Sequence, residues 1–258
     1  MNQLKQKIRN GENIIGMHLN FNDIGVAKIA GLAGYDYVWI DLEHSYLSLE
    51  SLMGAIIAIQ AGGTAAIVRV PQGDLTFTKK VLEMGPDGII FPMVKSAEEA
   101  NRMVGFSLYP PHGNRGFGPL NAVNFGIEDM RTYAENSVDG MCRFIQIEHK
   151  DAVADLDKIM ENEFIDGYIF GPCDLSGSIN ELLDVYGEHT AALMQETVAK
   201  LKAAGKCIGL STGDYSDGSL EHWRDMGINM ISAGADFDFI RDGAIRNRKN
   251  MEKIIKGK

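Results

Sequence analysis

Residues 143–148 read R-F-I-Q-I-E, and residues 167–174 read G-Y-I-F-G-P-C-D. Each begins as a short apolar run of strand length, ends in a carboxylate (Glu148, Asp174), and is followed by a helix-like stretch. On neighbouring strands of a parallel barrel the two carboxylates share one rim, a few ångströms apart. Two such groups repel unless something positive lies between them. A hard divalent cation with oxygen ligands is the simplest candidate.

Working outward, eight runs of this kind occur: 14–20, 37–43, 65–70, 88–93, 143–148, 167–172, 207–212 and 230–236. All are short and apolar on both faces, as strands of a parallel sheet are. Helical periodicity lies between them, over 24–32, 47–59, 96–106, 152–160 and 191–204. Asp74 and Ser96 are placed to N-cap, with Glu99 completing a capping box, and Gly205 stands at a C-cap position. Strict alternation predicts a single-domain (β/α)8 TIM barrel over 1–258. A doubly wound sheet is the alternative, but no G-x-G-x-x-G follows the first strand.

Composition is that of a globular chain, and no apolar run reaches the length of a membrane span. The N-terminus reads as a polar helix start without a signal-peptide core. The net charge of −10 argues against nucleic acid or an anionic membrane as partner. Cys142, Cys173 and Cys207 form no C-x-x-C pair and suit a reducing cytoplasm.

One connection breaks the rhythm. Residues 108–126 are rich in Gly, Pro and Asn, carry aromatics and have no helical period. A long ordered loop of this kind is often an active-site cover, and His112 and Arg115 within it can bind anions.

Barrel chemistry sits at the C-terminal ends of strands, where polar residues serve no packing need. Strand two ends in Asp41, Glu43 and His44; strand three carries Arg69; strand five carries Gln146 and Glu148 on one face. Arg69 must find an anion: Asp41 or Glu43 as a structural partner, or a substrate carboxylate or developing enolate. His44, oriented by Asp41, makes a general base near neutral pH. Zinc normally takes His or Cys ligands, and neither carboxylate has one beside it in a recognisable motif, so Glu148 and Asp174 as metal ligands favour Mg2+ or Mn2+. Asp174 is alternatively a helix cap, and Lys95 is a rival Schiff-base nucleophile. Cys173 has no adjoining base and is expected to act only through its backbone N–H.

These motifs resemble the HpcH/HpaI aldolases, the class II pyruvate aldolases. The similar stretches are Y-D-Y-V-W-I-D-L-E-H (35–44), I-V-R-V-P (67–71), I-I-F-P-M-V (89–94), Y-P-P-H-G-N-R-G-F-G (109–118), Q-I-E (146–148) and G-P-C-D-L-S (171–176). The resemblance implies a divalent metal on Glu148 and Asp174, Mg2+ or Mn2+, with Co2+ or Zn2+ as substitutes. It implies a 2-oxoacid substrate held by Gln146 and the N–H groups of Cys173 and Asp174. Arg69 would stabilise the enolate, and His44, oriented by Asp41, would move protons through a water. The implied reaction is reversible aldol cleavage of a 4-hydroxy-2-oxoacid to pyruvate and an aldehyde through a metal-stabilised enolate. Related readings are oxaloacetate decarboxylation, an acyl-CoA ester lyase, or a non-catalytic 2-oxoacid-binding barrel. The resemblance also implies a cytoplasmic homohexamer, a trimer of dimers, with a C-terminal helix around 239–255 exchanged between subunits, and a place in aromatic compound catabolism. The chain departs from the family at His18, at Ser211, at Glu83, which replaces an aspartate, and after Gly118. His18 and Ser211 shape the substrate pocket on its aldehyde side, and Glu83 would touch the shell around the metal water.

Overall fold

A computed structural model describes residues 2–257. The eight apolar runs are eight parallel strands: β1 (Ile14–Leu19), β2 (Tyr37–Asp41), β3 (Ala65–Arg69), β4 (Gly88–Phe91), β5 (Cys142–Ile147), β6 (Gly167–Phe170), β7 (Cys207–Thr212) and β8 (Met230–Ala235). They close in chain order, β8 pairing with β1, into the expected (β/α)8 barrel. The helices are α1 (Gln3–Arg9), α2 (Ile24–Leu32), α3 (Leu49–Gln60), α4 (Leu75–Glu83), α5 (Ala97–Gly105), α6 (Met130–Asn136), α7 (Lys150–Ala154), α8 (Leu156–Ile159), α9 (Pro172–Ser178), α10 (Glu188–Ala203), α11 (Asp217–Met226) and α12 (Asp236–Ile255). Among the described residues no helix is long and apolar enough to cross a membrane.

Burial on both faces explains the continuous apolar runs. Val38, Ile40, Val68, Ile89, Ile145 and Phe170 pack outward under the helices, while Tyr37, Trp39, Ile67, Ile90, Phe144 and Ile169 fill the barrel interior. Leu4 of α1 joins the inner cluster at the N-terminal end. Lys5 is buried beside it, and its Nζ donates to the carbonyls of Val138 (2.7 Å) and Met141 (3.1 Å) and to Asp166 (3.1 Å).

Local signals act as their chemistry requires. Asp74 and Ser96 accept from the N–H groups of Phe77 and Glu99. The carboxylate of Glu99 takes the N–H of Lys95, not of Ser96, so the return arm of the box lands one residue early. Gly205, at φ +64°, ends α10 in the left-handed region that glycine enters at no steric cost. The helix expected over 152–160 divides at Asp155, whose carboxylate leaves the helix to accept the N–H of Ala97 (2.7 Å).

The 108–126 segment lies elsewhere than its composition suggested. It runs from α5 to α6 on the return to β5, and so belongs to the N-terminal end of the barrel. Asn121 donates to the carbonyl of Met84 (2.8 Å), and Val123 is buried. Arg115 is buried, over the Tyr109 ring (4.5 Å), with Glu83 (3.4 Å) and the Tyr133 hydroxyl (3.2 Å) as partners. His112 rests against Phe164. Within one chain this segment lines no part of the C-terminal rim.

Replacing Lys5 with Met leaves Asp166 as a largely buried carboxylate without its ion-pair partner. Urea unfolding is expected to show a loss of about 3–5 kcal/mol. A loss under about 1 kcal/mol would mean the bottom plug is held by packing alone.

Candidate active site at the C-terminal rim

Every second strand residue points into the barrel. On β2 the inward series is Tyr37, Trp39, Asp41; on β3 it is Ala65, Ile67, Arg69. On β5 it is Cys142, Phe144, Gln146, with Glu148 one step beyond; on β7 it is Cys207, Gly209, Ser211; on β1 it is Ile14, Gly16, His18. The lower members form the apolar inner cluster and the topmost are polar. This top layer faces a cavity of about 440 Å³, whose lining includes His18, Asp41, His44, Arg69, Gln146, Glu148, Cys173, Asp174 and Ser211. The structure thus brings these nine residues, singled out in the sequence, to one cavity.

Arg69 is the positive centre. Its Nε and Nη2 grip both oxygens of Asp41 (3.0 and 2.6 Å), and its Nη1 lies 2.9 Å from Glu43 and donates to Gln146 Oε1 (3.3 Å). The guanidinium also lies over the Trp39 ring (5.2 Å). Burial pushes the Asp41 carboxyl up, but the hydrogen bonds and charge of Arg69 outweigh it and hold the group below the usual range. Asp41 therefore does not orient the His44 imidazole, as the sequence suggested. Its oxygens are taken by a bidentate arginine, and it meets His44 only at the backbone N–H (3.3 Å). The exposed His44 ring has Glu43 as its acidic neighbour, with Nε2 3.8 Å from Oε2. Sequence reasoning named Glu43 only as a partner for Arg69; its nearness to His44 follows from the turn after β2.

Glu148 is 2% exposed. Its Oε1 accepts the N–H of Met93 (2.6 Å) and its Oε2 accepts from Gln146 Nε2 (2.6 Å). Gln146 thereby links Arg69 to Glu148, and its amide is oriented from both sides. Burial raises the Glu148 carboxyl to about 7; the Met93 N–H opposes this, and the charges of Asp174 and Glu43 add to it. Gly171 makes room for this carboxylate, since a Cβ there would stand 2.4 Å from Glu148 Oε2. Asp174 lies in the first turn of α9 and is exposed; the helix starts at Gly171 without a side-chain cap, so Asp174 is not the N-cap.

A divalent cation fits these donors. The oxygens are hard, Glu148 has lone pairs beyond its two hydrogen bonds, and the carboxylates of Glu148, Asp174 and Glu43 are crowded around a single arginine already committed to Asp41 and Glu43. Among the described residues no group of three or more His, Cys, Asp or Glu side chains is arranged to hold a metal by itself. A cation on this pair would take its other ligands from water and substrate.

Across the cavity, His18 is buried against Trp39 (5.2 Å between ring centroids). Its Nδ1 lies 3.0 Å from the Gly234 carbonyl and its Nε2 2.9 Å from Ser211 Oγ. Burial pushes the imidazole down to about 4. Tyr186 and Trp223 form an outer aromatic wall that sequence periodicity did not reveal. Lys95 and Glu83 do not line this cavity; Lys95 is exposed, and Glu83 pairs with Arg115 at the other end of the barrel.

Comparison with known proteins gives a consistent picture. The sequence model of the HpcH/HpaI aldolase/citrate lyase family matches residues 14–242. A hydroxypyruvate/pyruvate aldolase of Agrobacterium fabrum is 33% identical over 91% of this chain and 88% of its own. A 2-keto-3-deoxy-L-rhamnonate aldolase of Escherichia coli is 30% identical over 91% of this chain and 87% of its own. The crystal structure of a family protein from Burkholderia cenocepacia superposes with a TM-score of 0.91 at 25% identity, covering 98% of this chain and all of that one.

The buried neutral His18 makes stability depend on acid. Its ordinary value is 6.5 and its folded value about 4, so between these the unfolded chain takes up a proton that the folded chain refuses. The contribution is complete above pH 6.5 and lost as pH falls toward 4, about 3 kcal/mol in all. Urea unfolding of the native chain and of His18→Gln across this window should show the steeper acid loss in the native chain. Parallel curves would mean that His18 does not stay neutral.

Proposed function

This chain belongs to the HpcH/HpaI aldolase/citrate lyase family, and from that premise we propose that it cleaves a 4-hydroxy-2-oxoacid reversibly into pyruvate and an aldehyde. It is a carbon–carbon lyase. The observation that carries the finer reading is Glu148: a buried carboxylate whose hydrogen bonds come only from neutral donors among the described residues, beside Asp174, and linked through Gln146 to Arg69.

Glu148 and Asp174 would hold Mg2+ or Mn2+, which when bound supplies the charge that balances both carboxylates and draws electrons from the 2-oxoacid. Gln146 is positioned to fix the orientation of the 2-oxoacid. The N–H groups of Cys173 and Asp174, in the uncapped first turn of α9, are available to its carboxylate. Arg69 faces the negative charge that develops on the enolate oxygen. Asp41 works through Arg69, fixing the guanidinium plane by a two-point bond.

In the cleavage direction the C4 hydroxyl gives up its proton, the C3–C4 bond breaks, and its electron pair enters the pyruvate enolate. His44, exposed at the mouth and paired with Glu43, takes that proton through water and returns one to C3. The departing C4 carbon leaves as the aldehyde.

The same reading includes a homo-oligomer, a hexamer built as a trimer of dimers, with α12 exchanged between subunits. Ile240, Ile245, Met251, Ile254 and Ile255 of α12 are exposed, and so is Ile15 of β1 on the outside of the barrel. A groove of about 450 Å³ lined by Ile14, Ile15, Ile231 and Phe239 lies along that outer face. Exposed apolar area on both the helix and the barrel wall supports burial against another copy.

Deuterium exchange into the methyl group of pyruvate, read by mass spectrometry, tests the core of this proposal. With Mg2+ the enzyme should exceed metal-containing buffer by at least about 100-fold, and chelation should abolish the excess. Exchange at the buffer rate would overturn the aldolase reading. Exchange that survives chelation, with borohydride and pyruvate trapping Lys95, would overturn the metal.

A further inference from the structure

Two polar side chains in the cavity take no part in that chemistry. They are His18 at the end of β1 and Ser211 at the end of β7, facing each other across the barrel mouth from Arg69 and Glu148. Their hydrogen-bond polarity can be worked out. The Gly234 carbonyl, 3.0 Å from His18 Nδ1, can only accept, so Nδ1 carries a hydrogen. The ring is buried and kept neutral, so Nε2 carries a lone pair. Ser211 Oγ, 2.9 Å away, must then donate its single hydrogen to Nε2. What remains on Ser211 toward the cavity is lone pairs.

The backbone enforces this arrangement. Between Gly16 and His18 the β1–β8 register slips, Gly16 facing Ser232 and His18 facing Ala235. The extra residue on β8 is a bulge, and Gly234 within it adopts φ +71°, where a Cβ would also meet the Phe239 and Tyr215 rings at 2.8–2.9 Å. The irregularity leaves the Gly234 carbonyl to the His18 ring. Trp39 packs against the imidazole and limits its rotation. The direction of the Ser211 hydroxyl is thus set by a glycine two strand positions beyond Ser232, its partner on β8.

Resting on the aldolase reading above, we propose that Ser211, held as a hydrogen-bond acceptor by His18, is a specificity-determining residue that selects substrates carrying a hydroxyl group on this side of the cavity. A substrate hydroxyl donates into the free lone pairs of Ser211. A substrate carboxylate or ketone oxygen at the same place sets lone pair against lone pair and is disfavoured. The hydroxyl can belong to the aldehyde or to C3 of the 2-oxoacid; the chemistry at Ser211 is the same, and substrates distinguish the two.

The test measures kcat/KM for aldol addition in two arms. With pyruvate as donor, glycolaldehyde is compared with acetaldehyde. With acetaldehyde as acceptor, hydroxypyruvate is compared with pyruvate. In the arm whose hydroxyl meets Ser211, Ser211→Ala should lower the hydroxyl-to-deoxy ratio about 10-fold relative to the native enzyme. Ser211→Thr, which keeps the hydroxyl, should restore it. His18→Phe releases the Ser211 hydrogen, so the ratio of succinic semialdehyde to acetaldehyde should rise. The last comparison stands even if Ser211→Ala fails to fold.

Ratios unchanged by Ser211→Ala in both arms, or no gain for succinic semialdehyde in His18→Phe, would overturn the inference. If the native enzyme still exchanges pyruvate methyl protons in that case, the aldolase reading survives. Absence of exchange overturns both.

Discussion

Asp41, Glu43, Glu148 and Asp174 crowd around Arg69 on the upper rim of this barrel, and their unequal pairing organises the site. Arg69 answers Asp41 by a two-point bond and Glu43 by a single contact. Glu148 receives only neutral donors, an amide from Gln146 and a backbone N–H from Met93, and Asp174 stands nearby. A neutral donor eases a buried carboxylate but does not cancel its charge. The remaining negative charge is therefore local, directed and next to an arginine, a combination that suits the binding of a cation and an oxygen-rich substrate. The proposed chemistry follows from that imbalance more than from any one residue.

The barrel supplies the precision. Site groups are the last inward members of strands whose lower members form a packed apolar interior, so Asp41, Arg69 and Gln146 each stand on a rigid rung. Close approaches do the rest. Gly171 leaves space for Glu148, and the Gly234 bulge orients His18 and, through it, Ser211. One half of the cavity handles charge; the other presents a fixed neutral hydrogen bond.

Much of this was legible in the sequence because it depends on period and position. Apolar runs at βα spacing marked every strand, and alternation placed Gln146 and Glu148 on one face. Three features needed coordinates. The bidentate grip of Arg69 on Asp41 displaces the expected Asp41–His44 pairing, and which of several nearby acids an arginine selects is a matter of side-chain reach. The 108–126 segment has the composition of an active-site cover, but it lies on the return from α5 to β5, at the barrel's other end, and there Arg115 is absorbed by Tyr109, Tyr133 and Glu83. The polarity of Ser211 depends on a carbonyl freed by a register slip between β1 and β8, which no local pattern announces.

The proposed chemistry requires the Glu148–Asp174 pair to be a cation site. Titration calorimetry of Mn2+ into the native chain and into Glu148→Gln addresses it without requiring turnover. One site per chain is expected in the native protein, with an affinity loss of roughly 100-fold or more in the variant, since one of two charged ligands is removed. Equal affinity in the two proteins would contradict it.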